Sequence, residues 1–287
     1  MKAIILSSQY GTYSVLLENN TQLLVKPRGL FRHKKIKPAV GDIVIVDEHE
    51  LVICDILDRK NYLIRPNIAN VDEVAIIMST SEPNFSSLLI DKFISYANYF
   101  KISACVIISK ADKNYDEVML NKKIDALEKI GVKVIIYSNV TKLGLDKIKE
   151  LFANKIVALM GQTGVGKSSL LNELIPNSKR EIGEYSNALG RGKHQTKEVV
   201  LIKYENGFIA DTPGFSSLEL PMYKEDLAKC FPGFEALYDK CKFNNCLHIN
   251  EKDCEVKKAL LEGKISQESY DNYLKILDEL IFRKDRY

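Results

Sequence analysis

The stretch Gly161-Gln162-Thr163-Gly164-Val165-Gly166-Lys167-Ser168 decides the fold of the central part of this chain. It fits the pattern GxxxxGK[ST], and it lies between an apolar run at 156–160 and a helical stretch at 169–174 that begins with Ser169. The glycines let backbone N–H groups wrap phosphates at the start of a helix. Lys167 would reach the β- and γ-phosphates, and Ser168 would bind Mg²⁺. This context favours a phosphate-binding loop over a glycine loop without a ligand.

A second nucleotide motif, Asp211-Thr212-Pro213-Gly214, ends another predicted strand at 208–210. In P-loop NTPases an aspartate at such a position holds Mg²⁺, and the glycine N–H can contact the γ-phosphate. The DxxG pattern is weak by itself, but its place downstream of the phosphate loop strengthens it. We therefore expect this segment to change shape when the γ-phosphate is lost.

A third motif concerns the choice of base. Ser109-Lys110-Ala111-Asp112 follows an apolar strand at 104–108 and resembles the NKxD motif of GTPases. The Asp112 carboxylate can accept both the N1–H and the N2 amino hydrogens of guanine, which adenine does not offer in that geometry. The Lys110 stem can pack on the base plane. Ser109 replaces the usual Asn, a change that can weaken the strut between this loop and the phosphate loop.

Ser138 ends the next predicted strand, where GTPases carry an SA-type loop whose backbone N–H meets guanine O6; Asn139 replaces the usual Ala. The motifs therefore run in the order 109–112, 138, 161–168 and 211–214. Ordinary GTPases begin with the phosphate loop and DxxG instead. The same sheet forms if the old termini are joined and new ones open after DxxG, because domain termini often lie close together. The sequence predicts a circularly permuted α/β P-loop domain that binds GTP or GDP.

Residues 1–66 predict an N-terminal β-barrel. Five short apolar runs occur at 2–6, 12–18, 22–26, 42–47 and 50–57, and Asn19-Asn20 fits a hairpin turn. An OB-fold is expected, although an SH3-like barrel would give a similar pattern. Between the third and fourth strands, five of the ten residues from Arg28 to Lys37 are Lys or Arg, and Phe31 lies among them. This loop is either a solvated charge run or a surface for nucleic-acid backbone contact and base stacking.

Residues 67–220 alternate strand and helix patterns, and 221–287 form a helical, cysteine-bearing region. In this last region Ser266 is a candidate N-cap. It precedes an apolar helical stripe that consists of Tyr270, Tyr273, Leu274, Leu277, Leu280 and Ile281. The stripe is interpreted as a helix face that packs on the core.

The spacing Cys241-x4-Cys246-x-His248-x5-Cys254 provides three thiols and one imidazole in polar surroundings. A Cys₃His set is a closed tetrahedral zinc site, which indicates a structural metal rather than a catalytic one. The other cysteines, Cys54, Cys105 and Cys230, are scattered along the chain. Cys105 lies in an apolar run, which favours a buried free thiol, and the clustered cysteines favour metal binding in a reducing cytoplasm over disulfides.

The overall composition limits the remaining classes of protein. The chain has 287 residues, 46% of them hydrophobic, and a formal net charge of only +3. That length suggests two to three domains, and so small a charge says little about partners. The N-terminus lacks the apolar length of a signal peptide, and no segment has the run of about 20 apolar residues that spans a bilayer. We expect a cytoplasmic monomer with no membrane contact.

Together these residues resemble the family of ribosome small-subunit-dependent GTPase A (the RsgA, or YjeQ, family), over nearly the whole chain. The linker Arg65-Pro-Asn-Ile-Ala-Asn-Val-Asp72 contributes to this resemblance. Gly190-Arg-Gly-Lys-His-Gln-Thr196 is similar to the GRGxHTT first switch of the family, with Gln195 replacing the first Thr. The resemblance implies that Thr196 meets Mg²⁺ and the γ-phosphate. It also implies the zinc ligands named above and binding to the small ribosomal subunit and its rRNA late in maturation.

One catalytic part is missing. Many GTPases carry a water-positioning Gln directly after DxxG, but this chain has Phe215 there. Intrinsic hydrolysis should therefore be slow. His194 is the nearest candidate to complete the site alongside Lys167 and Thr196, although it can equally be a solvent-exposed or phosphate-near loop histidine.

Two other classes of function stay open at this point. One is a nucleotide-gated RNA-binding module whose hydrolysis is incidental. The other is a P-loop ATPase or kinase, against which Asp112 and the lack of a second substrate-binding lid motif argue. GTP turnover with and without small subunits separates the first from a subunit-dependent GTPase, and nucleotide competition decides the second.

Overall fold

The computed structural model describes residues 1–29, 31, 37–176, 199–212 and 218–281. Its strands are β1 (Lys2–Gln9), β2 (Thr12–Leu17), β3 (Gln22–Pro27), β4 (Ile43–Asp47), β5 (Val52–Ile56), β6 (Tyr62–Leu63), β7 (Ile68–Ala69), β8 (Glu73–Ser79), β9 (Ser103–Ser109), β10 (Lys133–Ile136), β11 (Ile156–Met160), β12 (Val200–Tyr204) and β13 (Gly207–Asp211). Its helices are α1 (Ser87–Tyr99), α2 (Glu117–Lys129), α3 (Leu145–Phe152), α4 (Lys167–Leu174), α5 (Lys224–Cys230), α6 (Glu235–Tyr238), α7 (Glu255–Leu261) and α8 (Gln267–Ile281).

The chain divides into two compact units. One unit comprises the described parts of Met1–Val74, Asp146–Leu159 and Lys167–Gly214. The other comprises the described parts of Ala75–Leu145, Met160–Gly166 and Phe215–Tyr287. The domain boundaries at 66 and 220 that the sequence suggested remain predictions.

The first five strands close into a barrel in the order β1-β2-β3-β5-β4. Strand β1 pairs antiparallel with both β2 and β4, while β3 and β5 pair in parallel. Alternate side chains fill the interior, and Ile5, Val15 and Val44 are completely buried. Asn20 adopts φ +64° in the β2–β3 turn, as its tolerance of positive φ predicts. The predicted five-stranded barrel of the OB type is confirmed.

The basic loop after β3 does not offer Phe31 for base stacking, which corrects that interpretation of the sequence. Phe31 is only 6% exposed, so its ring packs inside the protein and cannot stack on a nucleic-acid base. Burial of an aromatic side chain is favourable compared with its exposure to water. The sequence pattern alone did not distinguish a buried ring from an exposed one. Arg28 is exposed and lies 3.2 Å from Glu50, whereas Leu30 and residues 32–36 lie outside the described part.

The central sheet has six strands in the order β10-β9-β8-β11-β13-β12. The pairs β10–β9 and β11–β13 are parallel, and β12 pairs antiparallel with β13. All residues of β8 are buried, which is typical of a parallel strand covered on both faces. The sequence predicted this α/β arrangement, and its apolar run at 156–160 coincides with β11. Strand β12 was missed.

Capping residues begin the helices next to this sheet. Ser86 accepts a hydrogen bond from the Leu89 N–H at 3.3 Å before α1, and Asp116 accepts one from the Met119 N–H at 2.9 Å before α2. One face of α1 is apolar and buried; it consists of Leu89, Phe93, Ile94 and Ala97.

Helix α8 begins after Ser266, whose hydroxyl accepts the Ser269 N–H at 3.1 Å, as predicted. Its buried face contains Tyr273, Ile276 and Leu277, together with Asn272. Ile281 is 50% exposed, so its assignment to the buried stripe was wrong: the buried residues of α8 end at Leu277, and Ile281 is the last residue of the helix.

A polar network attaches α8 to α1. The Asn272 amide donates to the Asp91 carboxylate at 2.8 Å, and the Lys92 ammonium lies 2.6 Å from Glu279. Burial raises the pKa of Asp91 to about 7. The described part of the chain contains no helix with the length and apolar character needed to cross a membrane.

Candidate nucleotide-binding and metal sites

The phosphate-loop sequence turns sharply where β11 ends. Gly161, Gly164 and Gly166 have φ values of +146°, +86° and +100°, in the region that disfavours side chains. A Cβ on Gly161 would lie 2.3 Å from the Ile77 carbonyl oxygen, so the backbone there passes too close to β8 for any other residue. Val165 is completely buried and anchors the loop, while Thr163 is exposed. The fold thus explains the glycines of the motif.

Helix α4 begins at Lys167, as P-loop architecture requires. Lys167 is only 8% exposed, and burial lowers the pKa of its ammonium to about 8, with the Asp211 carboxylate opposing that shift. Burial also raises the pKa of Asp211, and Lys167 opposes it. The ammonium and the carboxylate thus lie in a poorly hydrated site, where each favours the charged form of the other. Ser168 and Ser169 are exposed at the start of the helix.

The end of β13 is held at Thr212. Its buried hydroxyl donates to the Leu159 carbonyl oxygen of β11, which fixes the position of the strand end that carries Asp211. Gly214 and Phe215 lie outside the described residues, as does the whole segment 190–196 with His194, Gln195 and Thr196.

Ser109 retains the strut that an Asn would form at this position. Its buried hydroxyl lies 2.5 Å from the Val165 carbonyl oxygen of the phosphate loop and 3.1 Å from the Met78 carbonyl oxygen. One hydroxyl hydrogen can serve only one of these acceptors at a time. The serine therefore joins the two loops with a single hydrogen bond.

Asp112 and Ser138 are brought together at the ends of β9 and β10. The Ser138 hydroxyl donates to Asp112 Oδ1 at 2.7 Å and accepts the Val140 and Thr141 N–H groups at 3.2 and 3.1 Å. The hydrogen bond from Ser138 lowers the pKa of the exposed Asp112, so the carboxylate is ionised at neutral pH. An ionised, oriented carboxylate is the acceptor that guanine N1–H and N2–H need.

Lys110 connects the base loop to the segment after β8. Its φ is +61°, and its ammonium donates to the carbonyl oxygens of Ser81, at 3.3 Å, and Glu82. The Thr80 hydroxyl donates to the Lys110 carbonyl oxygen at 2.9 Å. The sequence did not single out Thr80, Ser81 or Glu82, because contacts to backbone carbonyls leave no mark in a motif.

The predicted metal ligands form one cluster. The ligand atoms of Cys241, Cys246, His248 and Cys254 all lie within 4.8 Å of one another. His248 Nδ1 lies 3.8, 3.3 and 3.3 Å from the sulfurs of Cys241, Cys246 and Cys254. Tetrahedral Zn–S and Zn–N bonds place N and S about 3.6 Å apart. These residues could hold a metal ion.

The surroundings of His248 assign its ligand atom. His248 is completely buried, and its Nε2 donates to the Ala228 carbonyl oxygen at 3.1 Å, which leaves Nδ1 as the acceptor toward the thiols. Burial lowers the pKa of His248 and raises that of Cys246 to about 12. The imidazole is thus neutral, as a metal ligand must be, and thiolates there need a bound cation.

Two tyrosines of α8 hold the metal loop from outside. The Tyr270 hydroxyl donates to the His248 carbonyl oxygen at 2.6 Å, and the Tyr273 hydroxyl donates to the Leu247 carbonyl oxygen at 2.7 Å. The sequence predicted their helix face but not this role, since carbonyl acceptors have no residue-type signal. The metal cluster and α8 therefore form one packed body.

The glycine loop follows a central parallel strand, and a buried lysine begins the helix after it. The loop that would recognise guanine comes earlier in the sequence than the phosphate loop. This combination defines a circularly permuted P-loop GTPase. The sequence model of the RsgA GTPase family matches residues 56–221, and that of the RsgA N-terminal domain matches residues 2–51. The chain belongs to the RsgA GTPase family.

Curated relatives and solved structures cover the full chain. A protein from Oceanobacillus iheyensis named small ribosomal subunit biogenesis GTPase RsgA 2 is 41% identical over 99% of this chain and 98% of its own. An RsgA from Halalkalibacterium halodurans is 39% identical over 97% of each chain. The crystal structure of YjeQ from Thermotoga maritima has a TM-score of 0.82 at 34% identity over 99% of each chain. YloQ, titled a circularly permuted GTPase, gives 0.81 at 34% identity over 100% of this chain and 96% of its own. The predicted permutation and enzyme class are confirmed.

Proposed function

We propose that this GTPase acts in the biogenesis of the small ribosomal subunit, late in its maturation. It binds the subunit and its rRNA in the GTP state, is stimulated by the subunit and leaves after hydrolysis. The observation that carries the proposal is similarity over the full chain, at 41% identity, to a relative named for small-subunit biogenesis. Work on ribosomal subunits implies a cytoplasmic location.

The nucleotide would occupy the loops described above. Backbone N–H groups of 161–169 would surround the phosphates, Lys167 would neutralise the β- and γ-phosphates, and Asp112 with Ser138 would select guanine. A bound Mg²⁺ would neutralise charge on the β- and γ-oxygens. Ser168, Asp211 and Thr196 are the residues that would hold the ion. The buried position of Lys167 at the start of α4 supports this assignment, because a phosphate would supply a counter-charge to its ammonium.

Hydrolysis needs help from the partner in this proposal. Phe215 cannot orient water, so the subunit would complete the catalytic geometry, for example by ordering His194. Loss of the γ-phosphate would then release the segments around Thr196 and Gly214, an order–disorder route that GTPases use. Only residues 215–220 separate Gly214 from the C-terminal region, so the release would act directly on the chain that leads to the metal domain.

Adding purified small subunits should raise the multiple-turnover GTPase rate by roughly 10-fold or more, since groups that complete a GTPase site give up to 10³–10⁵-fold.

The affinity for the subunit should also be at least about tenfold higher with a non-hydrolysable GTP analogue than with GDP, at fixed salt. By linkage, the subunit must then strengthen GTP binding by the same factor. Equal affinities with both nucleotides would refute the switch. Binding without any stimulation of turnover would favour a nucleotide-gated RNA-binding module.

The metal is proposed to be one structural zinc ion per chain, held by Cys241, Cys246, His248 and Cys254. The buried, closed donor set supports this, because it leaves no position open for a substrate. The zinc would stabilise the loop that Tyr270 and Tyr273 contact.

Removal of zinc should unfold the C-terminal region, because binding worth about 10–16 kcal/mol in such sites is also folding free energy. Freshly purified protein should contain one zinc by elemental analysis, and Cys246→Ser should lose it. Cys54→Ser is the matched control, since Cys54 is half-buried in the barrel and away from the cluster in sequence. Metal-free wild-type protein with an intact C-terminal region would contradict the assignment.

A further inference from the structure

The tip of the metal loop exposes four consecutive side chains between the first two cysteine ligands. This knuckle tip consists of Lys242, Phe243, Asn244 and Asn245, all of which are exposed. Phe243 is 45% exposed, whereas the nearby Phe231 and Phe234 are completely buried. The core therefore does not explain a phenylalanine at position 243.

The backbone of the knuckle tip is fixed from several directions. The Cys246 N–H donates to the Phe243 carbonyl oxygen at 3.2 Å, and the Tyr238 hydroxyl donates to the Asn244 carbonyl oxygen. The Lys242 ammonium lies 3.0 Å from Asp253. A backbone held in this way loses little further conformational entropy when the knuckle tip binds a partner.

The chemistry of the knuckle tip fits an unpaired base better than a phosphate backbone. Three lysines (240, 242 and 252) and three carboxylates (239, 251 and 253) occur in 238–254, so the loop carries no excess positive charge. The amide groups of Asn244 and Asn245 have no hydrogen bond to any described residue, and amides pair with base edges. An exposed ring provides the stacking surface that single-stranded RNA recognition uses.

We propose that the knuckle tip binds an unpaired base of the small-subunit rRNA, which stacks on Phe243 and forms hydrogen bonds with the amides of Asn244 and Asn245. This inference rests on the proposed function and specifies a surface for it. Because the contact involves no net charge, it should add affinity without adding to the salt dependence of subunit binding.

The test compares Phe243→Ala with Phe243→Tyr, which keeps an aromatic face, and with Leu261→Ala. Leu261 is 90% exposed on α7 and serves as an exposed apolar control in the same region. With a non-hydrolysable GTP analogue at fixed salt, Phe243→Ala should weaken subunit binding roughly 5- to 100-fold. The tyrosine and Leu261→Ala variants should bind like wild type. All variants should keep their zinc content, their GTP turnover without subunits and the same salt slope.

Chemical probing of the rRNA identifies the partner. An unpaired base should be protected by wild type and by Phe243→Tyr but not by Phe243→Ala. If Phe243→Ala binds as tightly as wild type, or binds more weakly with no change in base reactivity, the inference is overturned, and the second result indicates a protein contact instead. If wild type itself does not bind the subunit, the proposed function fails, which is a separate outcome.

Discussion

Lys167→Ala should reduce GTP turnover by roughly 10²- to 10³-fold or more. A loss of this size follows when one preorganised group that stabilises the charge of a transition state is removed. Lys167 opens α4 directly after the glycine loop and is almost completely buried. Its ammonium would be the cation of this loop closest to the β- and γ-phosphates. An alanine leaves those charges without it, whereas the fold loses only a lysine whose charge burial already disfavours.

Single-turnover hydrolysis and nucleotide affinity, measured with and without small subunits, provide the readout. Ser168→Ala should show a comparable loss, and added Mg²⁺ should not restore it. Lys149→Ala is the matched control, because Lys149 is exposed on α3 and its 3.7 Å pair with Asp146 contributes little. Thermal unfolding should stay unchanged in all three variants. Normal turnover by Lys167→Ala would remove the assigned phosphate site.

The sequence identified the phosphate loop and the metal ligands because their chemistry depends on residue type at short spacing. Only glycine accepts the φ of Gly161, and any Cβ there would lie 2.3 Å from the Ile77 carbonyl oxygen. The glycine in the motif is therefore a direct sign of this backbone geometry. A Cys₃His metal site can likewise be recognised from the types and spacing of its ligand residues. The barrel followed from five short apolar runs and the tolerance of Asn20 for positive φ.

What the sequence could not predict depends on partners distant along the chain. That Ser109 keeps the hydrogen bond to the phosphate loop could not be predicted without knowing that the Val165 carbonyl oxygen lies within reach, 56 residues away. The tyrosines that hold the metal loop bind backbone carbonyls, which every residue has. Phe31 looked available in a basic loop, yet its side chain is buried. Strand β12 was missed because it is an antiparallel edge strand beside β13, outside the strand–helix alternation expected of this domain.

The base-recognition loop leads to the second large effect. Asp112→Asn should weaken GTP binding by roughly 10²-fold or more and strengthen binding of xanthosine triphosphate. Ser138 donates to Asp112 Oδ1 at 2.7 Å, and an asparagine can keep that contact with its own Oδ1. Its Nδ2 then faces the base, where guanine presents the N2 amino donor. Two donors facing each other are destabilising, and neither finds an acceptor.

Xanthine carries a carbonyl oxygen in place of that amino group, so the same Nδ2 gains an acceptor and the preference inverts. Competition binding of GTP, xanthosine triphosphate and ATP measures the change, and ATP should bind poorly to both forms. Asp116→Asn is the matched control, because Asp116 caps α2 four residues later and asparagine caps a helix equally well. The fold, the zinc content and the Lys167 site should stay as they are in wild type. If Asp112→Asn bound GTP normally while Asp116→Asn did too, Asp112 would not read the base, and guanine selection would have to come from the backbone at Ser138.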